Sequence, residues 1–149
     1  MGGRGGRLCC MTSDELFDSY RRTTYSAETP LGPIRLCVGE RNESLVRLLK
    51  RYEATNWAFV TAFNPGSQQL ATEENLQRQS QLEDSLRHQE LTFFPGEGVG
   101  DDSSWPSEKS VLILNISRER AVHLAREFGQ NAILVGVESD APELVDCQV

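Results

Sequence analysis

The hydrophobic pattern of the chain predicts a central buried strand at residues 57–63. From Trp57 to Phe63 nearly every residue is apolar, on both of the faces that alternate along a strand. A strand that is apolar on both faces is typical of one covered on two sides, so we expect it near the middle of its sheet. Asn64-Pro65-Gly66 then ends the strand, because proline has no N–H for the ladder and glycine tolerates backbone angles that other residues avoid.

Helical periodicity predicts helices on either side of this strand, and short apolar runs predict further strands. The expected helices run from Ser13 to about Tyr20, from Asn42 or Ser44 over a face that includes Tyr52, from the cap Thr72 to about Gln89, and from the cap Ser117 to a stop at Gly129. The expected strands are Thr24–Glu28 and Ile34–Val38, joined as a hairpin, then Leu91–Phe94, Val111–Ile116 and Ala132–Val137.

The order of these elements predicts an α+β fold. From Trp57 onward it reads strand, helix, strand, strand, helix, strand, which is the βαββαβ arrangement of ferredoxin-like folds with helices on one face of an antiparallel sheet. A helix, a hairpin and a second helix precede this core. Because the central strand is apolar on both faces, either these N-terminal helices cover the second face or the sheet is mixed and three-layered. We expect residues 12–149 to form one domain and residues 1–11 to be a disordered lead-in.

Composition narrows the class of function. The chain has 149 residues, 38% of them hydrophobic, and a formal net charge of −7, which argues against nucleic acid as a partner. It contains no apolar run of about 18 residues, so no membrane span is expected. The opening MGGRGGRLCCM lacks the apolar core of a secretory signal, which predicts a cytoplasmic protein with free thiols. The four cysteines and two histidines show no metal-ligand spacing, so neither a metal nor a cofactor is expected.

The candidate site lies where the buried stripe of the third helix turns polar. Leu82 and Leu86 define the stripe, and its extension toward the N-terminus reaches Asn75, Arg78 and Gln79. Amides and a guanidinium beside a glycine turn and free helix N–H groups can recognise an anion or a small polar molecule.

A purely structural explanation competes with this hypothesis. In it, Asn64 and Asn75 bond loop backbone, and Arg78 pairs with Glu74 one turn earlier. Both explanations satisfy the same polar groups, so the sequence leaves them open.

Two more segments carry polar residues of the same kind. Gln130 and Asn131 stand between a helix stop and an apolar strand, where they either line a site or cap the helix carbonyls. The loop after residue 94 contains Asp101, Asp102 and Trp105. It is interpreted as a mobile surface loop, with a divalent cation held by the two aspartates or a lid over a pocket as the alternatives.

The motifs of these segments resemble one family. TAFNPGSQQLATEEN-LQR over residues 61–78, Trp105-Pro106-Ser107-Glu108 with Ser110, and FGQNAILV over residues 128–135 are similar to the bacterial proteins grouped as domain of unknown function family 3293. The resemblance runs from about Tyr25 to Val145, with mild departures at Phe63 and Thr72 and a less usual order at Glu108-Lys109-Ser110. The resemblance implies no established activity. It marks as motif positions Asn64, Pro65, Ser67, Asn75, Arg78, Trp105, Gln130 and Asn131.

Three hypotheses of different class follow. In the first, the domain binds a small polar or anionic ligand at the Asn64–Arg78 turn and helix N-terminus. Arg78 then pairs with the charge, Trp105 closes over the ligand, and the groups that orient it are Asn64, Ser67, Asn75, Gln130 and Asn131. In the second, it is an enzyme with Glu74 or Glu108 as the acid or base. In the third, it is an interaction module or homo-oligomer that assembles through sheet edges.

Overall fold

A computed structural model describes residues 13–100, 106–138 and 140–148 of the chain. The predicted lead-in at residues 1–11 lies outside these ranges, as do Asp101, Asp102 and Trp105. In chain order the elements are α1 (Ser13–Arg22), β1 (Thr24–Thr29), β2 (Gly32–Leu36), α2 (Glu43–Arg51), β3 (Asn56–Thr61), α3 (Thr72–His88), β4 (Phe93–Val99), β5 (Glu108–Leu114), α4 (Arg118–Glu127), β6 (Ala132–Val137) and β7 (Glu143–Asp146).

The strands form one antiparallel sheet, which confirms the α+β class. Its order is β2-β1-β4-β5-β3-β6-β7. The predicted hairpin is present, with Tyr25 opposite Leu36 and Thr29 opposite Gly32. From β3 onward the chain follows the predicted order of strands and helices, but the sheet has seven strands, because the β1–β2 hairpin extends one edge and β7 the other.

The strand β3 lies between β5 and β6 with a hydrophobic core on each face, as its pattern predicts. Ala58 and Val60 belong to the core that α3 and α4 cover, through Leu82, Leu86, Ala121 and Leu124 among others. Trp57 and Phe59 belong to the opposite core, which α2 covers with Leu45, Leu48 and Leu49. The N-terminal half of the chain therefore supplies the cover for the second face.

The two edges of the sheet are tied to each other. Gly39, which follows β2, donates its N–H to the carbonyl of Pro142, just before β7, at 2.9 Å. Because β2 and β7 are the outermost strands, this bond requires the sheet to curl toward the face that carries α2.

The edge strand β2 is poorly suited to pairing with another chain. Pro33 has no N–H to offer, and the carbonyl of Arg35 already accepts a hydrogen bond from Asn42 Nδ2 at 2.6 Å. Proteins commonly protect an edge in this way, so the proposed assembly through sheet edges gains no support at β2.

Several predicted boundaries were wrong. The strand β4 continues through Pro95 and Gly96 to Val99, and β5 begins at Glu108, so the predicted loop over residues 95–110 is much shorter. Pro95 is tolerated because β1 pairs with β4 only from Gly96 onward, and Gly96 leaves room for the Phe59 ring, whose Cε2 lies 2.9 Å from the place of a Cβ. Thr72 begins α3 but does not cap it; the cap position is Ala71, with no side-chain bond.

A substitution at Gly136 tests the packing of the core that contains Trp57 and is covered by α2. A Cβ at this position would lie 2.6 Å from Cε2 and 2.7 Å from Cζ2 of the fully buried Trp57. We expect Gly136→Ala to lower the free energy of unfolding by about 1–3 kcal/mol, as overpacking does, measured by chemical denaturation. The matched control is Gly98→Ala, since the nearest atom to a Cβ there is 3.6 Å away. Equal stability of the two variants would contradict this account of the core.

Candidate functional site

The chain leaves the sheet after β3 but stays buried over Ala62, Phe63 and Asn64. We call residues 62–64 the strand exit. No neighbouring strand pairs with this segment, since the β3 ladders end at Thr61. A buried N–H or C=O without a partner costs about 1–3 kcal/mol, so these backbone groups need side-chain partners.

Two neighbouring residues of α3 hold Ala62. Arg78 Nε donates to the Ala62 carbonyl at 2.9 Å, and the Ala62 N–H donates to Gln79 Oε1 at 3.0 Å. Arg78 Nη2 also donates to the carbonyl of Phe128 at 2.6 Å. The guanidinium therefore joins the strand exit to the end of α4. The Nε2 of Gln79 is buried and has no hydrogen-bond partner among the described residues.

Asn64 and Asn75 form a reciprocal pair. The N–H of Asn64 donates to Asn75 Oδ1 at 2.8 Å, and Asn75 Nδ2 donates to Asn64 Oδ1 at 2.7 Å. The same Oδ1 accepts from the N–H of Leu70 at 2.9 Å, while Asn64 Nδ2 donates to Glu108 Oε2 at 2.7 Å. Asn64 adopts a left-handed backbone conformation with φ 48°. Its side chain thus fixes the turn that follows β3 and orients the Glu108 carboxylate.

Two turns lie side by side at this end of the molecule. We call residues 64–67 and 128–131 the paired turns. The N–H of Gly66 donates to the Gly129 carbonyl at 2.7 Å, and next to this bond Gln130 Nε2 donates to the carbonyl of Phe63, in the strand exit, at 3.0 Å. Gly129 has φ 70°, and a Cβ there would lie 2.7 Å from the Cβ of Pro65. Glycine is therefore required both by the backbone angle and by the close approach.

A further contact between the paired turns involves a hydroxyl cluster. Asn131 Nδ2 donates to Ser67 Oγ at 3.0 Å, and the hydroxyl of Tyr20 lies 2.9 Å from the same Oγ. Burial raises the pKa of Tyr20; the hydrogen bond with Ser67 acts against that rise, and the charge of Glu108 adds to it. Sequence reasoning did not place Tyr20 here, because its position on α1 is explained equally well by a contact within the helix, such as the one with the Phe17 ring.

Within the described residues, the charge of Arg78 has no acidic partner. No Asp or Glu of these ranges forms an ion pair with it, so the pair with Glu74 that the purely structural explanation assumed is absent. The guanidinium is half-buried, and the ring of Phe128 lies 6.0 Å from its central carbon. Two of its N–H groups bind carbonyls, and the others have no acceptor among the described residues.

The structure brings most of the predicted site residues to the paired turns. Those that meet there are Asn64, Ser67, Asn75, Arg78, Gln130 and Asn131. Trp105 lies outside the described residues, and Glu74 is exposed in the first turn of α3. The described part of the chain contains no group of three or more His, Cys, Asp or Glu that could hold a metal ion. None of its helices is long and apolar enough to cross a membrane.

Asn75 tests the role of side chains at the strand exit. Asn75→Ala leaves the buried N–H of Asn64 without an acceptor, which we expect to lower the free energy of unfolding by about 1–3 kcal/mol in chemical denaturation. Glu74→Ala changes the exposed neighbour on the same helix and is expected to stay within about 0.5 kcal/mol of the wild type. If Asn75→Ala is as stable as this control, the pair does not hold the turn.

Comparison with protein families agrees with the resemblance of the motifs. Residues 60–133 match the model of the family described as Protein of unknown function (DUF3293). Comparisons with curated proteins and with solved structures gave no match. The matched segment contains the strand exit and both paired turns, whereas Tyr20 and α1 lie before it. This segment of the chain therefore matches the DUF3293 family of proteins of unknown function.

Proposed function

We propose that the chain binds a small polar or anionic molecule at the paired turns. The observation that carries the proposal is the half-buried guanidinium of Arg78, which has no acidic partner among the described residues. A charge that is partly removed from water interacts more strongly with an opposite charge than an exposed one does. An anionic group on a ligand would supply the missing counter-charge.

The geometry of Arg78 suits a carboxylate or a phosphate. Its Nε and Nη2 are fixed by the carbonyls of Ala62 and Phe128, so the planar group is held in one orientation before any ligand arrives. A guanidinium held in this way can present its remaining N–H groups to two oxygens at once. Such preorganisation reduces the entropy that binding would otherwise cost.

The other candidate residues divide into two roles under this proposal. Asn64, Asn75 and Gln130 use their side chains on the protein itself and keep the turns in shape. Ser67 and Asn131 contact the ligand at the half-buried surface of the turns. The closing of Trp105 over the ligand stays a prediction, since this residue lies outside the described part of the chain. We also propose a cytoplasmic location, because thiols stay reduced there and Cys37 and Cys147 are free.

A second candidate function is catalysis by Glu108. Its carboxylate is oriented by Asn64 Nδ2 at 2.7 Å, and its charge acts on the hydroxyl of Tyr20. An oriented carboxylate beside a bound ligand is the arrangement that general acid or base catalysis needs. Glu74 has no comparable partner within the described ranges, so Glu108 is the stronger of the two residues for this role.

We also interpret β3 to β6 as a ferredoxin-like core. The strands β3 and β4 are connected through α3, and β5 lies between them in the sheet, which is the split arrangement typical of that fold. The hairpin, α2 and β7 are additions to this core.

Arg78→Lys tests the binding proposal. Thermal unfolding is measured for the wild type and the variant with phosphate, short carboxylic acids, amino acids and nucleotides. A compound at 100 times its dissociation constant should stabilise the wild type by about 2.7 kcal/mol, seen as a higher melting temperature. Lysine keeps the charge but cannot bind two oxygens in the same way, so we expect affinity to fall roughly tenfold or more.

Arg87→Ala is the matched control for this test. Arg87 is an exposed arginine on the same helix. It forms ion pairs with Glu83 and Asp84 and lies over the ring of Phe93. It should respond to every compound as the wild type does. If no compound stabilises the wild type, or if Arg78→Lys binds as well as the control, the proposed site is wrong.

A further inference from the structure

The hydroxyl cluster of Tyr20, Ser67 and Asn131 contains one hydroxyl hydrogen that its two hydrogen bonds do not use. Asn131 Nδ2 can only donate to Ser67 Oγ, so this contact uses no hydroxyl hydrogen. The contact between Tyr20 and Ser67 uses one hydroxyl hydrogen, whichever of the two donates. Two hydroxyls carry two hydrogens, so one of them is used in neither of these two contacts. No other side chain or carbonyl of the described residues accepts a hydrogen bond from either hydroxyl, so this hydrogen is available to an acceptor on a ligand.

The cluster is built from three separate parts of the chain and is held in place. Tyr20 comes from α1, Ser67 from the first of the paired turns, and Asn131 from the second. The hydroxyl of Tyr25 donates to the carbonyl of Tyr20 at 2.8 Å and so fastens the end of α1. All three members of the cluster are half-buried, which limits competition from water.

Ser67 occupies a backbone conformation that a serine adopts at a cost. Its φ is 62°, in the left-handed region where glycine is favoured. A glycine would fit this backbone better, but it would remove the hydroxyl. Residues kept in such conformations are concentrated at functional sites, where the side chain has a use that outweighs the strain.

We infer that Tyr20 and Ser67 recognise a neutral oxygen acceptor, a carbonyl or a hydroxyl, on the molecule that binds at the paired turns. This inference rests on the proposed function and extends it. It makes Tyr20, which lies outside the family-matched segment, a specificity residue of the site. The ligand class is then a small organic acid that carries its anionic group toward Arg78 and an uncharged oxygen toward the hydroxyls.

The charges near Arg78 and near the hydroxyl cluster support this orientation of the ligand. Burial raises the pKa of Tyr20, so its hydroxyl keeps its proton and stays a neutral donor at physiological pH. The charges of Glu108 and Asp146 also raise that pKa, which means that both carboxylates act on the hydroxyl side of the site. A second anionic group would be repelled there, whereas a neutral oxygen would not.

Pairs of short acids with and without a carbonyl test the inference. The probes are pyruvate with propionate, and levulinate with pentanoate, titrated into the full chain and followed by NMR. We expect the wild type to bind at least one oxo acid about three- to tenfold more tightly than its plain partner, the usual effect of one net hydrogen bond. Tyr20→Phe should remove this preference and leave the affinity for the plain acid unchanged. Tyr52→Phe, the same chemical change on the distant side of the sheet that α2 covers, should keep it.

Ser67→Gly adds a measurement that needs no ligand. We expect its melting temperature to equal or exceed that of the wild type, because glycine adopts φ 62° without strain, while the preference for the oxo acid is lost. A clear fall in melting temperature, or a preference that survives Tyr20→Phe, would overturn the inference and make the cluster part of the scaffold. The proposed function would still stand if Arg78→Lys weakened both acids of a pair. If no acid bound the wild type in an Arg78-dependent manner, both the proposed function and this inference would be wrong.

Discussion

The structure depends on satisfying the backbone of a chain that leaves its sheet while still buried. At the strand exit the ladder of β3 has ended, yet Ala62 is fully buried and its N–H and C=O are out of reach of water. Gln79 and Arg78 provide the missing acceptor and donor. Because these two side chains come from α3, the position of that helix over the sheet is fixed by polar contacts as well as by the leucines of its buried stripe.

The same requirement explains why so many polar residues gather at one place without forming a conventional active site. The side chains of Asn64, Asn75 and Gln130 bond backbone N–H and C=O groups that have no partner in the sheet. Their hydrogen-bonding groups are therefore largely used within the protein. Arg78 and Ser67 differ from them. Each makes a contact within the protein and keeps further donor capacity at a half-buried surface. Neighbouring residues therefore hold the turns in shape and form the candidate site. The two groups differ in whether their N–H and O–H donors are already used within the protein.

Sequence reasoning could predict the fold where one periodic signal dominated. Three features were predictable because they depend only on residues close together in the sequence. They are the two-sided apolar run of β3, the Ser117 cap and the end of α4 at Gly129. Sequence reasoning failed at β7, whose four residues have no clear pattern, and at β4, where Pro95 and Gly96 suggested a loop because the neighbouring strand and the Phe59 ring could not be foreseen. The residues of the candidate site stand out in the sequence as polar breaks in apolar stripes. The contact of Tyr20 with Ser67 could not be predicted, since only the tertiary fold brings α1 to the paired turns.

The bond between Gly39 and Pro142 has a consequence for how the chain reaches its native state. It joins segments that lie far apart in the sequence, and such contacts are costly to form early because the intervening chain must first be ordered. During synthesis, α2 and the hairpin leave the ribosome long before Pro142 does. The curled sheet can therefore close around α2 only after Pro142 has been made, so the core around Trp57 cannot be fully shielded from water before that point.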